Sequence, residues 1–301
     1  MQASTDCCTQ ILASLPANVF VYDLVERVPT FSNRALSTAL GYSNAVLESE
    51  RDGVTRLTHP DDRLTDDQIE ELSHYSTPSQ PLQVEFRMRH ADGSWRWFAT
   101  RVTVFERNTQ GRPLKLVGVA VDITEYKKAE SELRFEATHD ELTGVYNRRR
   151  FMVELDLRIS TASSMALCSC DIDHFKTIND RHGHAAGDHA LRTFAQLLRS
   201  SVRQGDIVGR MGGDEFSILL LDVAGTDGHT IIDRIRSEFG KVAFEAADAA
   251  FSTTASFGIA EFQRGMSAGE FLARADEALY RAKQSGRDRV TMVPPVVPLP
   301  L

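Results

Sequence analysis

The sequence predicts a mixed α/β (α+β) chain of two domains joined by a helix, and three observations carry that expectation. The chain has 301 residues, 42% of them hydrophobic and 25% charged, enough for two ordinary domains that each bury a core. Residues 1–122 show strands of alternating apolar and polar side chains, separated by turn residues. Residues 139–292 read instead as helices alternating with strands.

In the first half, "NVFVYDL" (18–24) reads as a strand and "NRALSTALGY" (33–42) as a short helix with one apolar face. "LQVEFRMRH" (82–90) alternates as a half-exposed strand does. "ADG" turns into a second such strand, "SWRWFATRVTVFE" (94–106), and "TQGRP" turns into a third, "LKLVGVAVDI" (114–123). Three consecutive antiparallel strands preceded by short helices predict a curved sheet with a concave face. Trp95 and Trp97 share one face of their strand, a pattern of core or dimer packing. His59, His74 and His90 read as surface or loop histidines.

"DITEYKKAESELRFEATHD" (122–140) follows. Ile123, Tyr126, Glu130, Leu133 and Ala137 recur at steps of three and four, so residues 123–138 predict a helix with a narrow apolar stripe. Such a helix suits a connection between domains that pairs with its copy in a second chain. Beyond it, "MALCSCDID" (165–173) has the continuous apolar run of a buried central strand. "HALRTFAQLLRSSV" (189–202) is an amphipathic helix with Leu191, Phe194, Leu197 and Leu198 on one side. "DIVGRM", two glycines and "FSILLLDV" make a hairpin, Asp206 to Val223. "TIIDRIRSEFGKV" (230–242) is helical, "FSTTASFGIAEF" (251–262) a strand, and "SAGEFLARADEALYRAKQSG" (267–286) a helix closed by Gly286. Residues 293–301, "VPPVVPLPL", read as an extended tail.

A net charge of −8 argues against a general nucleic-acid binder but leaves room for a small anionic ligand on a few placed cations. Cys7-Cys8 and Cys168-Ser169-Cys170 have neither zinc-knuckle spacing nor the density of a disulfide scaffold. Apolar runs fall short of the ~20 residues of a membrane helix. The first residues, "MQASTDCCTQ", lack the basic-then-apolar pattern of a signal peptide. The expected location is cytoplasmic, with no membrane contact.

The chemistry concentrates in "GRMGGDEFSILL" (209–220). Asp214 and Glu215 follow a glycine pair at the hairpin tip, which alone reads as a solvated turn or a cation site. Asp171 ends the buried strand, where a carboxylate is costly unless paired or metal-bound. If the hairpin neighbours that strand, three carboxylates converge at one sheet edge. Hard oxygen ligands of that kind suit Mg²⁺, and two such metals serve in-line phosphoryl or nucleotidyl transfer.

Residues 12–126 resemble a PAS domain ending in a PAC motif, through "LGYS" (40–43), "HPDDR" (59–63), "DGSWRW" (92–97) and "GVAVDITEYKKAE" (118–130). The resemblance implies a sensory, dimerising module, and no residue pattern indicates which ligand it takes. The second half resembles the GGDEF domain of diguanylate cyclases in four motifs: "DELTGVYNRRRF" (140–151), "DIDHFKTINDRHGHAAGDHAL" (171–191), "RQGDIVGRMGGDEF" (203–216) and "ADEALYRAKQSGRDRV" (275–290). That resemblance implies a central sheet flanked by helices, like the palm of nucleotide cyclases. The domains expected are therefore 1–122, a linking helix 123–138, 139–292, and the tail.

By position, the resemblance implies that Asp171, Asp214 and the carbonyl of Ile172 ligate metal, with Glu215 serving a second metal or the transition state. Two Mg²⁺ or Mn²⁺ ions per active site are implied. Asn179, His184 and Asp188 match guanine contacts, a carboxylate at 188 accepting from N1–H and the exocyclic amine. Phe175 and Lys176 match the cradle for the β- and γ-phosphates, Lys283 and Arg287 further triphosphate contacts, and Gly212 and Gly213 leave room over the hairpin. Asp214, Glu215 and Lys176 are the implied catalytic side chains. Arg203 and Asp206, "RQGD", match an inhibitory product site, with Arg234 as its secondary arginine. The implied reaction makes cyclic di-GMP from two GTP in a homodimer. The rivals are an inactive GGDEF receptor for GTP or cyclic di-GMP, and a PAS-driven interaction protein.

Overall fold

The computed structural model describes residues 10–33, 36–42, 53–65, 67–68, 81–161, 164–245 and 250–293. Cys7, Cys8, His74 and residues 294–301 of the tail lie outside the described residues. The chain divides into two compact units, Met1–Ser131 and Glu132–Leu301. Among the described residues no helix is long and apolar enough to cross a membrane.

In the first unit, β1 (Asn18–Asp23), β2 (Val28–Ser32), β3 (Leu82–Arg89), β4 (Trp95–Arg107) and β5 (Pro113–Asp122) form an antiparallel sheet in the order β2-β1-β5-β4-β3. The three strands expected in succession are β3, β4 and β5, and β1 pairs with β5 along its whole length. Strand β2 has no counterpart in the sequence reading. Its five residues include a proline and expose three side chains, so they carry no alternation to read. Helices α1 (Leu36–Ala39) and α2 (Gly53–Leu57) belong to the same unit, where Leu40, Met88, Phe98 and Ala120 form a core with Phe20, Leu36, Val54, Leu57 and Phe86.

The "ADG" turn is held by Asp92, which accepts the Ser94 amide at 2.8 Å and faces His90 Nδ1 at 2.9 Å. Those bonds, the Ser94 ones foremost, keep the Asp92 carboxyl well below the usual carboxylate range. His59 accepts the Asp61 amide at 3.3 Å and meets Trp95 edge-on. A cavity of about 230 Å³ between sheet and helices is lined by neither of these histidines; its walls include Phe20, Tyr22, Val84, Phe86 and Thr100.

Helix α3 (Thr124–Thr138) crosses the boundary between the units. Its stripe is exposed: Tyr126 and Leu133 are each 66% accessible, and Glu130 and Ala137 are exposed too.

The second unit is built on a six-stranded sheet, β11-β10-β7-β9-β8-β6. Its strands are β6 (Tyr146–Asn147), β7 (Met165–Ile172), β8 (Ile207–Gly212), β9 (Glu215–Leu221), β10 (Ala255–Glu261) and β11 (Val290–Met292). Strand β7 lies inside the sheet, antiparallel to β9 and β10, with every residue buried. Helices cover both faces, as a strand with a continuous apolar run requires. On one face Cys168, Cys170 and Ile172 pack with α6 (His184–Ser201) through Leu191, Phe194 and Leu198, and with α7 (Gly225–Phe239) through Ile232, Ile235 and Phe239. On the other, Met165, Leu167 and Leu219 pack with α4 (Arg148–Ile159) through Phe151 and Leu155, and with α8 (Ala268–Gln284) through Phe271 and Ala275. The remaining helix, α5 (Phe175–His182), follows β7 directly.

Local signals set the helix ends. Asn147 caps α4 by accepting the Arg150 amide at 2.9 Å. Ser267 and Glu270 cap α8 reciprocally, which holds the Glu270 carboxyl below its ordinary range through its bonds to the Ser267 backbone and hydroxyl. Helix α8 then crosses β10 at Gly258, where an added Cβ would fall 2.0 Å from Leu279 N and 2.4 Å from Ala275 O. Backbone cannot yield to a methyl group at that distance. Gly258→Ala is therefore expected to cost about 2–4 kcal/mol in denaturant unfolding of the full chain. A loss under about 1 kcal/mol would mean that α8 lifts off the sheet without resistance.

Candidate active site

The site begins at the tip of β7. Asp171 is 7% exposed. It sits in register with Glu215 on β9 and Ser256 on β10, so the three side chains emerge on one face. From α8, Lys283 Nζ donates to Asp171 Oδ2 at 2.7 Å. Burial nonetheless pushes the Asp171 carboxyl up to about 6, the Lys283 bond opposing it while the charges of Asp214 and Asp173 add to it. The lysine does not fully offset the desolvation of this carboxylate.

The three acids expected to converge are thus partly gathered. Asp171 and Asp214 are close enough to repel, Glu215 is exposed across the register, and the fully buried Ile172 precedes the turn out of β7. Among the described residues no three His, Cys, Asp or Glu side chains stand close enough together to hold a metal ion.

The glycine turn is held from an unexpected side. Gly212 (φ 147°) and Gly213 (φ 55°) take conformations that side chains rarely adopt, and a Cβ on either would meet nothing within 4 Å. Arg210 Nε and Nη2 donate to Gly213 O at 2.9 and 2.7 Å. Its Nη1 donates to both oxygens of Asp140 at 3.0 and 3.1 Å. Burial would raise the Asp140 carboxyl, yet the bonds from Thr143 and Arg210 hold it below its ordinary value. This clamp joins the first motif of the domain to the third, across 70 residues of chain, so no local pattern in the sequence shows it.

A second buried carboxylate adjoins the first. Asp173, 2% exposed, accepts from Ser256 Oγ at 2.7 Å, Thr254 Oγ1 at 2.6 Å and the Asp288 amide at 3.1 Å. It ties the end of β7 to the start of β10 and to the turn after α8, where Arg287 and Asp288 both have positive φ. Asp288 in turn accepts from Arg236 Nη1 of α7 at 2.8 Å. Lys283 and exposed Arg287 are therefore carried on a helix end pinned from two sides. The one sequence signal for Asp173 was its place in an Asp-x-Asp pair.

His174, at φ 57°, turns the chain from β7 into α5. Phe175 is half-buried and Lys176 exposed on the first turn of α5, with Asn179 half-buried one turn on. Across the crook made by Gly183, His184 is exposed at the start of α6, and Asp188 is half-buried with Arg192 Nη2 at 3.9 Å.

At a separate corner, Asp206 Oδ2 accepts the Arg203 amide at 2.9 Å and its Oδ1 accepts the Leu221 amide at 3.0 Å. Arg234 Nη2 reaches from α7 to Ser201 O at 3.1 Å. Arg203, Asp206 and Arg234 are thus brought to one corner, the two arginines exposed.

A sheet covered by helices thus presents acids from the tip of an inner strand and from an adjoining glycine hairpin. Residues 137–289 match the family model described as "Diguanylate cyclase, GGDEF domain", and the chain belongs to that family. Residues 29–120 match the model described as "PAS fold". The chain is 36% identical to "Diguanylate cyclase DgcM" of Escherichia coli (strain K12) over 226 residues, which are 74% of this chain and 53% of DgcM. It is 41% identical to "Diguanylate cyclase DgcP" of Pseudomonas aeruginosa over 162 residues, 52% of this chain and 24% of that protein. It therefore spans about half the length of one relative and a quarter of the other. The coiled coil and GGDEF domain of DgcB from Caulobacter crescentus, solved in complex with c-di-GMP, superposes with a TM-score of 0.54 at 31% identity, covering 57% of this chain and 93% of that one.

The raised Asp171 value has a sign that can be measured. A carboxyl that titrates near 6 in the fold and at 3.8 in the unfolded chain favours folding when protonated. Its contribution is whole below pH ~4 and is lost as pH rises through ~6. In metal-free buffer with chelator, Asp171→Asn removes that loss. The variant's stability relative to the parent should then grow by about 2–3 kcal/mol between pH 4 and 7. A difference that stays level across that range would show that Asp171 is not held in this environment.

Proposed function

We propose that the chain is a diguanylate cyclase that condenses two GTP into cyclic di-GMP and two pyrophosphates. The observation that carries this reading is the under-compensated Asp171 carboxylate beside Asp214, at the tip of β7 and facing Lys283. Hard carboxylate oxygens in mutual repulsion are a donor set that a divalent cation relieves. Asp171 and Asp214 with the Ile172 carbonyl would hold one Mg²⁺ or Mn²⁺, and the exposed Glu215 would serve a second, two ions per site. When bound, the metal supplies charge neutralisation at the phosphates and lowers the pKa of the attacking 3′-hydroxyl.

The rest is work for the chain's own residues. Lys176, Lys283, Arg287 and the amides at Phe175 hold the triphosphate, whose charge draws Lys283 from carboxylate to phosphate. Asp188 accepts from the N1–H and exocyclic amine of guanine, Asn179 and His184 bond its remaining polar edge, and adenine leaves the carboxylate unpaired. The bare turn at Gly212 and Gly213 lets the nucleotide lie against backbone.

Each site holds one GTP, so the ring closes between two chains, each 3′-oxygen attacking the other's α-phosphorus as pyrophosphate leaves. The exposed stripe of α3, with Tyr126 and Leu133, supports pairing of two chains. The PAS domain regulates that pairing, and Arg203, Asp206 and Arg234 bind product to inhibit it. The setting is cytoplasmic.

Purified chain incubated with GTP and Mg²⁺ should yield cyclic di-GMP, identified by mass. Asp214→Ala and Glu215→Ala should each lower the rate at least about 100-fold. GTP bound but unconverted would make the domain a receptor, and no GTP bound would end the reading. Arg203→Ala should keep turnover and raise the product concentration that halves it by about tenfold or more.

A further inference from the structure

The geometry points to Gly187 as a positioning residue for the nucleobase: its missing side chain is the seat of the Asn179 carboxamide. Gly187 lies inside α6, buried, without the positive φ that would explain a glycine. Within a helix glycine is the poorer choice, because it orders more backbone freedom than alanine does. Local preference therefore favours alanine here, and something outside the helix excludes it.

That something is α5. A Cβ on Gly187 would stand 2.0 Å from Asn179 Oδ1, 3.0 Å from its Cγ and 3.2 Å from Phe175 Cζ. The approach is fixed by the crook between the helices, where the Gly183 amide donates to Asn179 O at 2.9 Å and the Gly187 amide to Gly183 O at 3.3 Å. The carboxamide of Asn179 thus rests its carbonyl prong on the bare backbone of α6. Its amino nitrogen stands farther from that Cβ position than Oδ1 and Cγ do, and it has two donors to offer.

Asp188, the next residue of α6, offers only acceptors when ionised. A donor amide beside an acceptor carboxylate complements guanine, whose edges present N1–H and an amine together with ring and carbonyl acceptors. It does not complement adenine, which lacks the N1–H. This step rests on the guanine site proposed above and adds the residue that decides which prong of Asn179 faces the base.

Because Asn179 is short and half-buried, a methyl group at 187 displaces it at little cost to the fold. Stability and recognition should therefore part company. Gly187→Ala should melt at or above the parent temperature. Its affinity for a non-hydrolysable GTP analogue, by calorimetry, should fall about 10- to 100-fold, and its preference for GTP over ATP should narrow by a similar factor. On an Asn179→Ala background the same substitution should weaken binding by no more than about twofold.

Parent-like affinity in Gly187→Ala overturns the inference. So does an equal loss on both backgrounds, which would assign Gly187 to helix packing alone. Should the parent bind no guanine nucleotide, the cyclase reading fails and takes the nucleobase role with it. The seat is then judged by melting: Gly187→Ala must stabilise more on the Asn179→Ala background, and equal shifts overturn it.

Discussion

A strand covered on both faces leaves its polar chemistry nowhere to go but the tip, and β7 is such a strand. Its apolar run ends in Asp171, with Asp173 two residues on, both buried. Ionised carboxylates there must be offset by groups the fold delivers. It delivers two different answers. Asp173 receives hydroxyl and amide donors from Ser256, Thr254 and Asp288, which satisfy its lone pairs and lock three segments together. Asp171 receives one ammonium, from Lys283, and the nearby acids work against it. The first carboxylate is a structural knot. The second keeps the imbalance that suits it to a cation and a phosphate.

Every partner in both answers comes from β10 or the residue before it, from α8, or from the turn after α8. The packing of α8 on β10 at Gly258 therefore carries chemical as well as structural weight: it sets the height of Lys283 over the strand tip. The same turn, through Asp288, reaches Arg236 on α7. Two residues earlier on that helix, Arg234 reaches Ser201 beside the Arg203–Asp206 turn. One helix thus touches both the turn after α8, where phosphate binding is proposed, and the corner proposed for product.

Much of this was legible in the sequence, where local pattern and function coincide. The apolar run of β7, the glycine hairpin of β8 and β9, the amphipathic face of α6 and the glycine-closed helix α8 were read directly, because periodicity and turn chemistry are local. Short strands were not: β2, β6 and β11 have two to five residues, too few for alternation to show, and sheet context alone makes them strands. The site's cross-connections were hidden for another reason. Lys283 was read as a phosphate ligand without its bond to Asp171, and the Arg210–Asp140 clamp went unassigned, because each joins segments far apart in the chain.

The glycines show where the line between local and tertiary information falls. Gly212 and Gly213 have positive φ and open space where a Cβ would be, so backbone conformation requires them, and a doubled glycine announces that in any sequence. Gly187 and Gly258 have ordinary helical or extended backbone but atoms within 2.0 Å of an added Cβ. Their requirement comes entirely from what the fold places opposite: a carboxamide in one case, a helix backbone in the other. Such glycines look like mistakes of local propensity until the neighbour is known. A propensity violation inside a regular element near a site is for that reason a pointer to close approach, and at Gly187 what approaches is a side chain assigned to the base.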